Sequence, residues 1–176
     1  MQAQPPSWLV EVVDDVPDFP SPGILFKDLS PLWRSPSALS RCAIALAQGA
    51  GDVDLVVGIE ARGFLAGLIT AQRLGVGFVA ARKPGKLPGD VRSVDYALEY
   101  GTDSLQLQAD AIEAGQRILI VDDVIATGGT AAAAAQLVTG AGGEVAGIRA
   151  VLELMALGGR DRLAPHRVES LWEVRS

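Results

Sequence analysis

The sequence predicts an α/β domain in which a mostly parallel, twisted sheet is flanked by helices. Two continuous apolar runs of strand length, "DLVVGI" and "RILIV", are typical of parallel strands that are covered on both faces. Segments of helical composition alternate with these strands along the chain, as they do in α/β domains. The chain has 176 residues, of which 49% are hydrophobic, so we expect one well-packed domain over 1–176.

The first half of the chain is predicted to contain two helices and then a strand–helix–strand unit. A short helix begins at Ser7 and runs through Val13, where "PDFPSPG" ends it. Ser35 and Pro36 are typical N-cap and first-turn residues, so a second helix begins there. The strand "DLVVGI", a helix over about 63–74 and the strand "GFVAAR" follow.

The second half begins with a segment that we expect to be irregular. "KPGKLPGDVRS" holds two prolines and two glycines, which disfavour regular structure. "VDYALEY" and "LQLQ" alternate apolar and polar residues, which predicts an antiparallel pair. After the strand "RILIV", an alanine-rich helix is predicted from Thr130 to Val138, and "EVAGIRAVLEL" and "VESLWEV" are predicted as later strands.

The composition restricts the classes of partner. A net charge of −6 argues against broad binding to nucleic acid or membrane surfaces. No apolar run reaches the roughly 20 residues of a membrane helix, and the first residues lack the pattern of a secretory signal. A single cysteine, Cys42, excludes an internal disulfide, and a single histidine, His166, argues against a structural zinc site. We therefore expect a cytoplasmic protein with no nucleic-acid or membrane partner.

Basic residues are concentrated in one segment of this acidic chain. Arg82, Lys83, Lys86 and Arg92 lie within eleven residues that contain one acid, Asp90. Such a segment suits a small anionic ligand, but a solvated surface loop has the same composition. The segment alone leaves both interpretations open.

The stretch "VDDVIATGGT" follows a predicted strand and precedes a predicted helix, at the sheet edge where ligands of α/β proteins bind. Gly128 and Gly129 allow backbone amides to approach an anion, and Thr127 and Thr130 add hydroxyl donors. The helix dipole favours negative charge at the same place. The Gly-Lys-Ser/Thr of a nucleotide-triphosphate loop is absent, so the pattern predicts a cradle for a simple phosphate group.

Asp122 and Asp123 stand directly before this cradle. Carboxylates do not bind phosphate, but they accept hydrogen bonds from neighbouring hydroxyl groups. A ribose 5-phosphate, with a phosphate at one end and a diol nearby, would satisfy both parts of the motif. The alternative is that the two aspartates only cap the loop.

At this point the sequence resembles a known family. "ILIVDDVIATGGT" is similar to the phosphoribosyl pyrophosphate (PRPP) signature of the type I phosphoribosyltransferases. More narrowly, "FPSPGILFKDLSPL", "GIEARGF", "RKPGKLPG", "LEYG" and "GQRILIVDDVIATGGT" occur in the order found in adenine phosphoribosyltransferases. The resemblance covers about 13–165. It implies the type I phosphoribosyltransferase fold, with a small N-terminal hood over about 7–34 and a mobile loop over about 83–95.

The resemblance also implies an activity and a set of site residues. The family transfers ribose 5-phosphate from PRPP to adenine, giving AMP and pyrophosphate, with Mg²⁺ held mainly through PRPP. The implied roles are 5′-phosphate binding by Ala126, Thr127, Gly128, Gly129 and Thr130, and ribose binding by Asp122 and Asp123. Pyrophosphate would be bound by Arg62, Arg82, Lys83 and Lys86, and the base by Leu25, Phe26, Lys27, Val124 and Leu157. Glu99 and Tyr100, from "LEYG", would be catalytic, and the peptide before Arg62 is often cis in this superfamily.

Several interpretations remain open from the residues alone. Arg62 could be an ordinary first-turn helix residue, Phe26 a core residue and Glu99 a surface residue at a strand end. A PRPP-binding regulator without catalysis is the alternative to an enzyme, and a phosphoribosyltransferase for another base is the alternative to an adenine enzyme. The resemblance further implies a homodimer, about which composition says nothing.

Overall fold

The computed structural model describes residues 4–97 and 101–175. The helices are α1 (Ser7–Val10), α2 (Ser30–Arg34), α3 (Pro36–Ala47), α4 (Gly63–Leu74), α5 (Gly129–Gly140) and α6 (Gly159–Arg162). The strands are β1 (Asp14–Pro17), β2 (Leu25–Asp28), β3 (Leu55–Ile59), β4 (Gly77–Ala81), β5 (Val91–Ala97), β6 (Thr102–Gln108), β7 (Arg117–Ile125), β8 (Glu144–Leu154) and β9 (Val168–Val174). A 3₁₀ turn, Met155–Leu157, follows β8.

Five parallel strands form the central sheet in the order β4-β3-β7-β8-β9. Alternate residues of β3 and β7 point to opposite faces, and both faces are covered. On one face Val57 and Ile120 belong to a core cluster with the buried alanines of α5. On the other, Val56 and Leu119 pack in a second cluster with apolar residues of α3 and α4. Burial on both sides explains why these strands are continuous apolar runs, and the predicted fold class is confirmed.

The carboxyl ends of the parallel strands meet at one edge of the sheet. Glu60 follows β3, Arg82 follows β4, and the glycine turn before α5 follows β7. The 3₁₀ turn follows β8 at the same edge. Residues that are far apart in the sequence are therefore brought together where α/β proteins bind ligands.

The N-terminal segment differs from the prediction. The first helix ends at Val10 and not at Val13. The residues that follow form a two-stranded antiparallel hairpin of β1 and β2, in which Val16 pairs with Phe26, and then α2. The predicted start of the second helix is correct, because the Ser35 hydroxyl accepts a hydrogen bond from the Ala38 amide at 3.3 Å.

Three other boundaries also differ. The predicted irregular segment through Ser93 is too long, because β5 begins at Val91 and pairs with β6 in the predicted antiparallel hairpin. Strand β7 does not end before the aspartates but continues to Ile125, because β8 pairs with it along this length. Helix α5 begins at Gly129 and extends past Val138.

In the residues that the structure describes, no helix combines the length and the apolar character needed to cross a membrane.

Candidate functional site: an anion cradle beside two aspartates

The turn from Ala126 to Thr130 connects β7 to α5 and shapes a small cavity. The cavity has a volume of about 70 Å³ and is lined by Asp122, Val124 and the residues from Ile125 to Ala131. Gly128 is the N-cap of α5 with φ of +74°, a conformation that strongly favours glycine. The turn therefore has the geometry that its two glycines predict.

Four consecutive backbone amides of this turn, those of residues 127–130, lie at the start of a 12-residue helix. Within 4–97 and 101–175, none of the four donates a hydrogen bond to another residue. The first amides of a helix have no acceptor in the helix itself, and the helix dipole makes this end positive. The turn can thus bind an anion through main-chain donors.

Asp122 and Asp123 lie in β7 directly before the turn, and their environments differ. Asp123 is 7% exposed, whereas Asp122 is half-buried and lines the cavity. The Asp123 amide donates to Asp122 Oδ1 at 2.8 Å. Burial raises the pKa of the Asp122 carboxyl well above its ordinary range, and the neighbouring Asp123 carboxylate raises it further.

One buried carboxylate oxygen of Asp123 accepts no hydrogen bond from the residues that the structure describes. The Arg62 Nε atom lies 2.8 Å from Asp123 Oδ2, which makes an ion pair. The N–H is not directed at the oxygen, however, and Asp123 Oδ2 is buried with no hydrogen-bond partner in the described residues. A buried acceptor of this kind is costly unless something donates to it, so it is suited to a ligand hydroxyl group.

Arg62 connects the β1–β2 hairpin to the aspartates. It caps α4, its side chain is 48% exposed, and its guanidinium lies 5.7 Å from the centre of the Phe26 ring. Phe26 itself packs edge-to-face against Phe19 at 5.1 Å between ring centres. The backbone before Arg62 contains a cis peptide, but this is Glu60–Ala61 and not Ala61–Arg62, so the expected position was wrong by one residue.

The basic segment is attached to the sheet edge by carboxylates that the sequence analysis did not single out. Arg82 Nη2 donates to Glu60 Oε1 at 2.9 Å, and the Lys83 amide donates to Glu60 Oε2 at 2.8 Å. The hydrogen bond from Arg82 lowers the pKa of Glu60 in spite of its partial burial. Arg82 also donates to the backbone carbonyl of Lys86, whose side chain is exposed.

Lys83 is held by the β5–β6 hairpin. Its ammonium donates to Asp103 and, at 2.6 Å, to the Tyr96 hydroxyl. Partial burial alone would lower the pKa of Lys83, but the hydrogen bonds to Asp103 and Tyr96 outweigh it and raise the pKa. Tyr96 and Asp103 are directly paired across the two strands, so the hairpin presents both groups to Lys83.

The predicted base-binding residues come from three parts of the fold. Leu25, Phe26 and Lys27 lie on β2 of the N-terminal hairpin. The Lys27 ammonium is 2.5 Å from Asp15 and 4.9 Å from the centre of the Trp172 ring, so it joins the β1–β2 hairpin to β9. Val124 is in β7 beside the cavity, and Leu157 is 44% exposed in the 3₁₀ turn.

The structure brings most of the predicted phosphate, ribose and pyrophosphate residues to one edge of the sheet. Glu99 and Tyr100 lie outside the described residues. Glu60 and Asp103 were missed, although the acidic residue inside "GIEARGF" could have indicated a partner for the nearby basic segment. No sequence signal indicated Asp103, because its contact with Lys83 depends on the pairing of β5 and β6.

The parallel sheet and the anion cradle at its carboxyl edge define the class to which this chain belongs, the phosphoribosyltransferases. A model of the phosphoribosyl transferase domain matches residues 37–171. An adenine phosphoribosyltransferase from Synechococcus sp. (strain CC9902) is 54% identical over 154 residues, which cover 86% of this chain and 88% of the relative. One from Saccharopolyspora erythraea is 55% identical over 152 residues, covering 86% and 83%.

Solved structures agree with this grouping. Adenine phosphoribosyltransferase from Thermoanaerobacter pseudethanolicus superposes with a TM-score of 0.91 at 46% identity, covering 95% of this chain and 98% of that one. The Saccharomyces cerevisiae enzyme, complexed with an imino-altritol bisphosphate and adenine, has a TM-score of 0.87 at 42% identity, covering 93% and 96%. The chain belongs to the adenine phosphoribosyltransferase family, and the family predicted from the sequence motifs is confirmed.

Proposed function

We propose that the chain transfers ribose 5-phosphate from PRPP to adenine, giving AMP and pyrophosphate in purine salvage. The observation that carries this proposal is that residues 127–130, whose amides donate no hydrogen bond within the described residues, follow shortly after Asp123, whose buried Oδ2 accepts none. An anion-binding end and a hydroxyl-accepting end then lie side by side, as a ribose 5-phosphate group requires. Membership of the adenine phosphoribosyltransferase family supports the choice of reaction.

The cradle from Ala126 to Thr130 binds the 5′-phosphate in this proposal. Its main-chain donors are fixed before the ligand arrives, because Gly128 and the start of α5 hold them in place. The hydroxyl groups of Thr127 and Thr130 add donors. The cavity of about 70 Å³ accommodates a phosphate group but not a whole nucleotide, so the sugar and base lie outside it.

Asp122 and Asp123 accept hydrogen bonds from the ribose hydroxyls. A hydroxyl that donates to Asp123 Oδ2 would satisfy an oxygen that is otherwise buried without a hydrogen bond. Arg62, which already lies beside this carboxylate, is placed between the ribose and the pyrophosphate.

Pyrophosphate is bound by Arg62, Arg82, Lys83 and Lys86. Arg82 and Lys83 are paired with Glu60 and Asp103 in the structure, so binding requires that they exchange these carboxylates for phosphate oxygens. We propose that the segment of about 83–95, and above all its irregular part before β5, acts as a lid that makes this exchange.

Adenine is bound between the hood and the sheet edge. Phe26 offers a ring face, the backbone near Leu25 and Lys27 offers hydrogen bonds to the purine edge, and Val124 and Leu157 supply apolar contacts. The Lys27 side chain supports the hood, since its ammonium is occupied by Asp15 and Trp172.

Magnesium fits this site mainly through its co-substrate. In the ranges 4–97 and 101–175 no three His, Cys, Asp or Glu side chains are grouped as a metal site requires. Mg²⁺ prefers a few carboxylates together with substrate phosphates; Asp122 lines the cavity of the cradle, and Asp123 follows it in the chain. When bound with PRPP, the ion would neutralise charge on the pyrophosphate leaving group.

Glu99 and Tyr100 remain the proposed catalytic residues. A glutamate beside the base can hydrogen-bond to a ring nitrogen of adenine or accept the proton that the ring releases. The ribose acquires oxocarbenium character in the same step. We expect Glu99→Ala to reduce turnover strongly while PRPP still binds, as measured by steady-state kinetics and calorimetry. Unchanged kinetics would remove Glu99 from the reaction.

We also propose a homodimer, assembled in the cytoplasm through the outer face of α3 and α4. Ile44 of α3 and Leu65 and Leu68 of α4 expose 51%, 46% and 56% of their surface, and a second copy of the chain could cover these apolar side chains. Light scattering should give twice the mass of one chain, and Leu68→Asp should give a monomer. A wild-type monomer would refute the proposal.

The test of the main proposal is incubation with PRPP, Mg²⁺ and one base at a time, with pyrophosphate release as the signal. We expect turnover with adenine and little with guanine, hypoxanthine, xanthine or pyrimidines. Turnover with another base but not adenine would change the substrate. PRPP binding without turnover of any base would favour the regulator.

A further inference from the structure

A second glycine pair, Gly158 and Gly159, lies directly behind the anion cradle. A β-carbon built on Gly159 would be 2.3 Å from the Ala126 carbonyl oxygen and 3.0 Å from the Gly128 amide nitrogen. A β-carbon built on Gly128 would be 2.5 Å from the Gly159 carbonyl oxygen. The two backbones are therefore in contact, and neither residue can carry a side chain unless the other segment moves.

The atoms that surround Gly159 cannot easily move away from an added side chain. They are main-chain atoms of the cradle, together with the Ile125 side chain at 2.9 Å, so no rotamer change could relieve an added methyl group. Since β-carbons essentially never approach backbone atoms this closely, Gly159→Ala must displace the cradle or the turn. Gly159 does not have a positive φ, so the effect of alanine there would be steric.

The segment behind the cradle is anchored by an ion pair between Arg160 and a buried carboxylate, that of Glu153. Glu153, near the end of β8, is 1% exposed. Arg160, the residue after Gly159, donates to both oxygens of Glu153, with a distance of 3.0 Å for its Nε. It also donates to the Val168 carbonyl at 3.1 Å, and Ser170 donates to Glu153 at 2.9 Å.

Arg160 attaches the segment of Gly158 and Gly159 to the sheet at two points. Arg160 bridges β8 through Glu153 and β9 through Val168. A bidentate guanidinium–carboxylate pair fixes direction as well as distance, which a single contact could not do. The turn that carries Gly159 is therefore held at a fixed position against the cradle.

We propose that Gly159 and the Glu153–Arg160 pair are positioning residues for the 5′-phosphate, which set the conformation of the cradle from behind without touching the ligand. This inference rests on the proposed role of residues 126–130 in phosphate binding. A support of this kind keeps donor groups in place before the ligand arrives, which lowers the cost of ordering them on binding.

The test compares AMP with adenosine, which differ only in the 5′-phosphate. Calorimetry gives the ratio of their affinities for the wild-type protein and for Gly159→Ala. We expect this ratio to fall by about tenfold or more in the variant, with a matching rise in KM for PRPP and little change in KM for adenine. Gly140→Ala is the control, because a β-carbon there meets nothing within 4 Å and the glycine does not have a positive φ.

A second variant decides the matter if Gly159→Ala does not fold. Arg160→Lys keeps the charge but loses the bidentate contact with Glu153, so the AMP-to-adenosine ratio should fall severalfold. Arg167→Lys is its control, since Arg167 is an exposed arginine paired with Glu169, two residues further along the chain. A general loss of stability would reduce the active fraction without changing the ratio.

The outcomes separate this inference from the proposed function. If the wild-type protein does not prefer AMP to adenosine, the proposed phosphate-binding role of residues 126–130 is refuted, and so is the positioning role that depends on it. If the wild type prefers AMP and folded Gly159→Ala and Arg160→Lys keep that preference in full, the cradle stands and the positioning role is refuted. A reduced ratio in either variant, with the controls unchanged, supports it.

Discussion

Replacing Asp122 by asparagine should stabilise the unligated protein. The Asp122 carboxylate is half-buried, lies next to the Asp123 carboxylate and accepts one identified hydrogen bond, from the Asp123 amide at 2.8 Å. Asparagine keeps that acceptor and removes the charge. Since an incompletely satisfied buried polar group costs about 1–3 kcal/mol, and Arg62 offsets part of the charge, we expect a gain of about 1–3 kcal/mol at pH 7.

The stability difference between Asp122→Asn and the wild-type protein should increase with pH. The pKa of Asp122 is raised in the folded protein, so the folded state disfavours the ionised form. Below the unfolded pKa of about 3.9 the group is neutral in both states and has no effect. As pH rises from there through the folded pKa, the wild-type protein loses stability relative to Asp122→Asn at up to about 1.4 kcal/mol per pH unit.

Urea unfolding at pH 4 and at pH 7 measures the difference. The gain in the free energy of unfolding should be small at pH 4 and larger at pH 7, and in thermal unfolding at pH 7 each kcal/mol gained should raise Tm by about 2–4 °C. Asp110→Asn, which removes the same charge from an exposed position, is the control. A variant less stable than wild type at pH 7, or an advantage independent of pH, would refute the reasoning.

Three further predictions concern other parts of the structure. Asp103→Asn should release Lys83, so pyrophosphate should inhibit more strongly in product-inhibition kinetics while stability falls by less than about 1 kcal/mol; weaker inhibition would contradict the exchange of partners. Cys42 is fully buried, and burial raises the pKa of its thiol to about 12, so a thiol reagent should label it only after unfolding; rapid labelling of the native protein would contradict this burial. Gly58→Ala should cost about 1–3 kcal/mol in thermal unfolding, because the added methyl group would lie 2.5 Å from the Phe78 ring; an unchanged Tm would show that the ring moves freely.

The central sheet was predictable because its strands are buried on both faces. Such strands must be apolar at every position, and "DLVVGI" and "RILIV" satisfy this without any knowledge of their neighbours. The N-terminal hairpin of β1 and β2 was not predictable in the same way. Its strands have four residues each and are mostly exposed or half-buried, so no alternation of apolar and polar residues identifies them.

The end of β7 shows how tertiary pairing overrides local sequence. Two adjacent carboxylates indicate the end of a strand, but β8 runs alongside and pairs Asp122 with Ala150 and Val124 with Leu152. The backbone hydrogen bonds of this pairing keep the aspartates in the strand. Strand β7 thus holds both aspartates just before the turn at Gly128 and Gly129.

The candidate site was predictable where its function depends on consecutive residues. Gly128 and Gly129 indicate an anion cradle because the turn and the helix start lie within one short segment. The contact of Gly159 with that cradle links segments about thirty residues apart, and nothing in "GGRDR" indicates its partner. Local chemistry is readable from a sequence, whereas support from a distant segment appears only in the fold.

In the proposed site, the ion pairs at the sheet edge would allow an acidic protein to bind a highly charged anion. Arg62, Arg82 and Lys83 are each paired with a carboxylate, and each pair includes a side chain that is about a third to a half exposed. The pairs of Arg82 with Glu60 and of Lys83 with Asp103 are partly exposed and contribute at most about 1 kcal/mol each, so breaking them for pyrophosphate oxygens costs little. The carboxylates hold the cations near the cradle before the ligand arrives and limit their mutual repulsion. Because phosphate oxygens carry more charge than a carboxylate, the exchange favours the ligand, and it should weaken as added salt screens these charges.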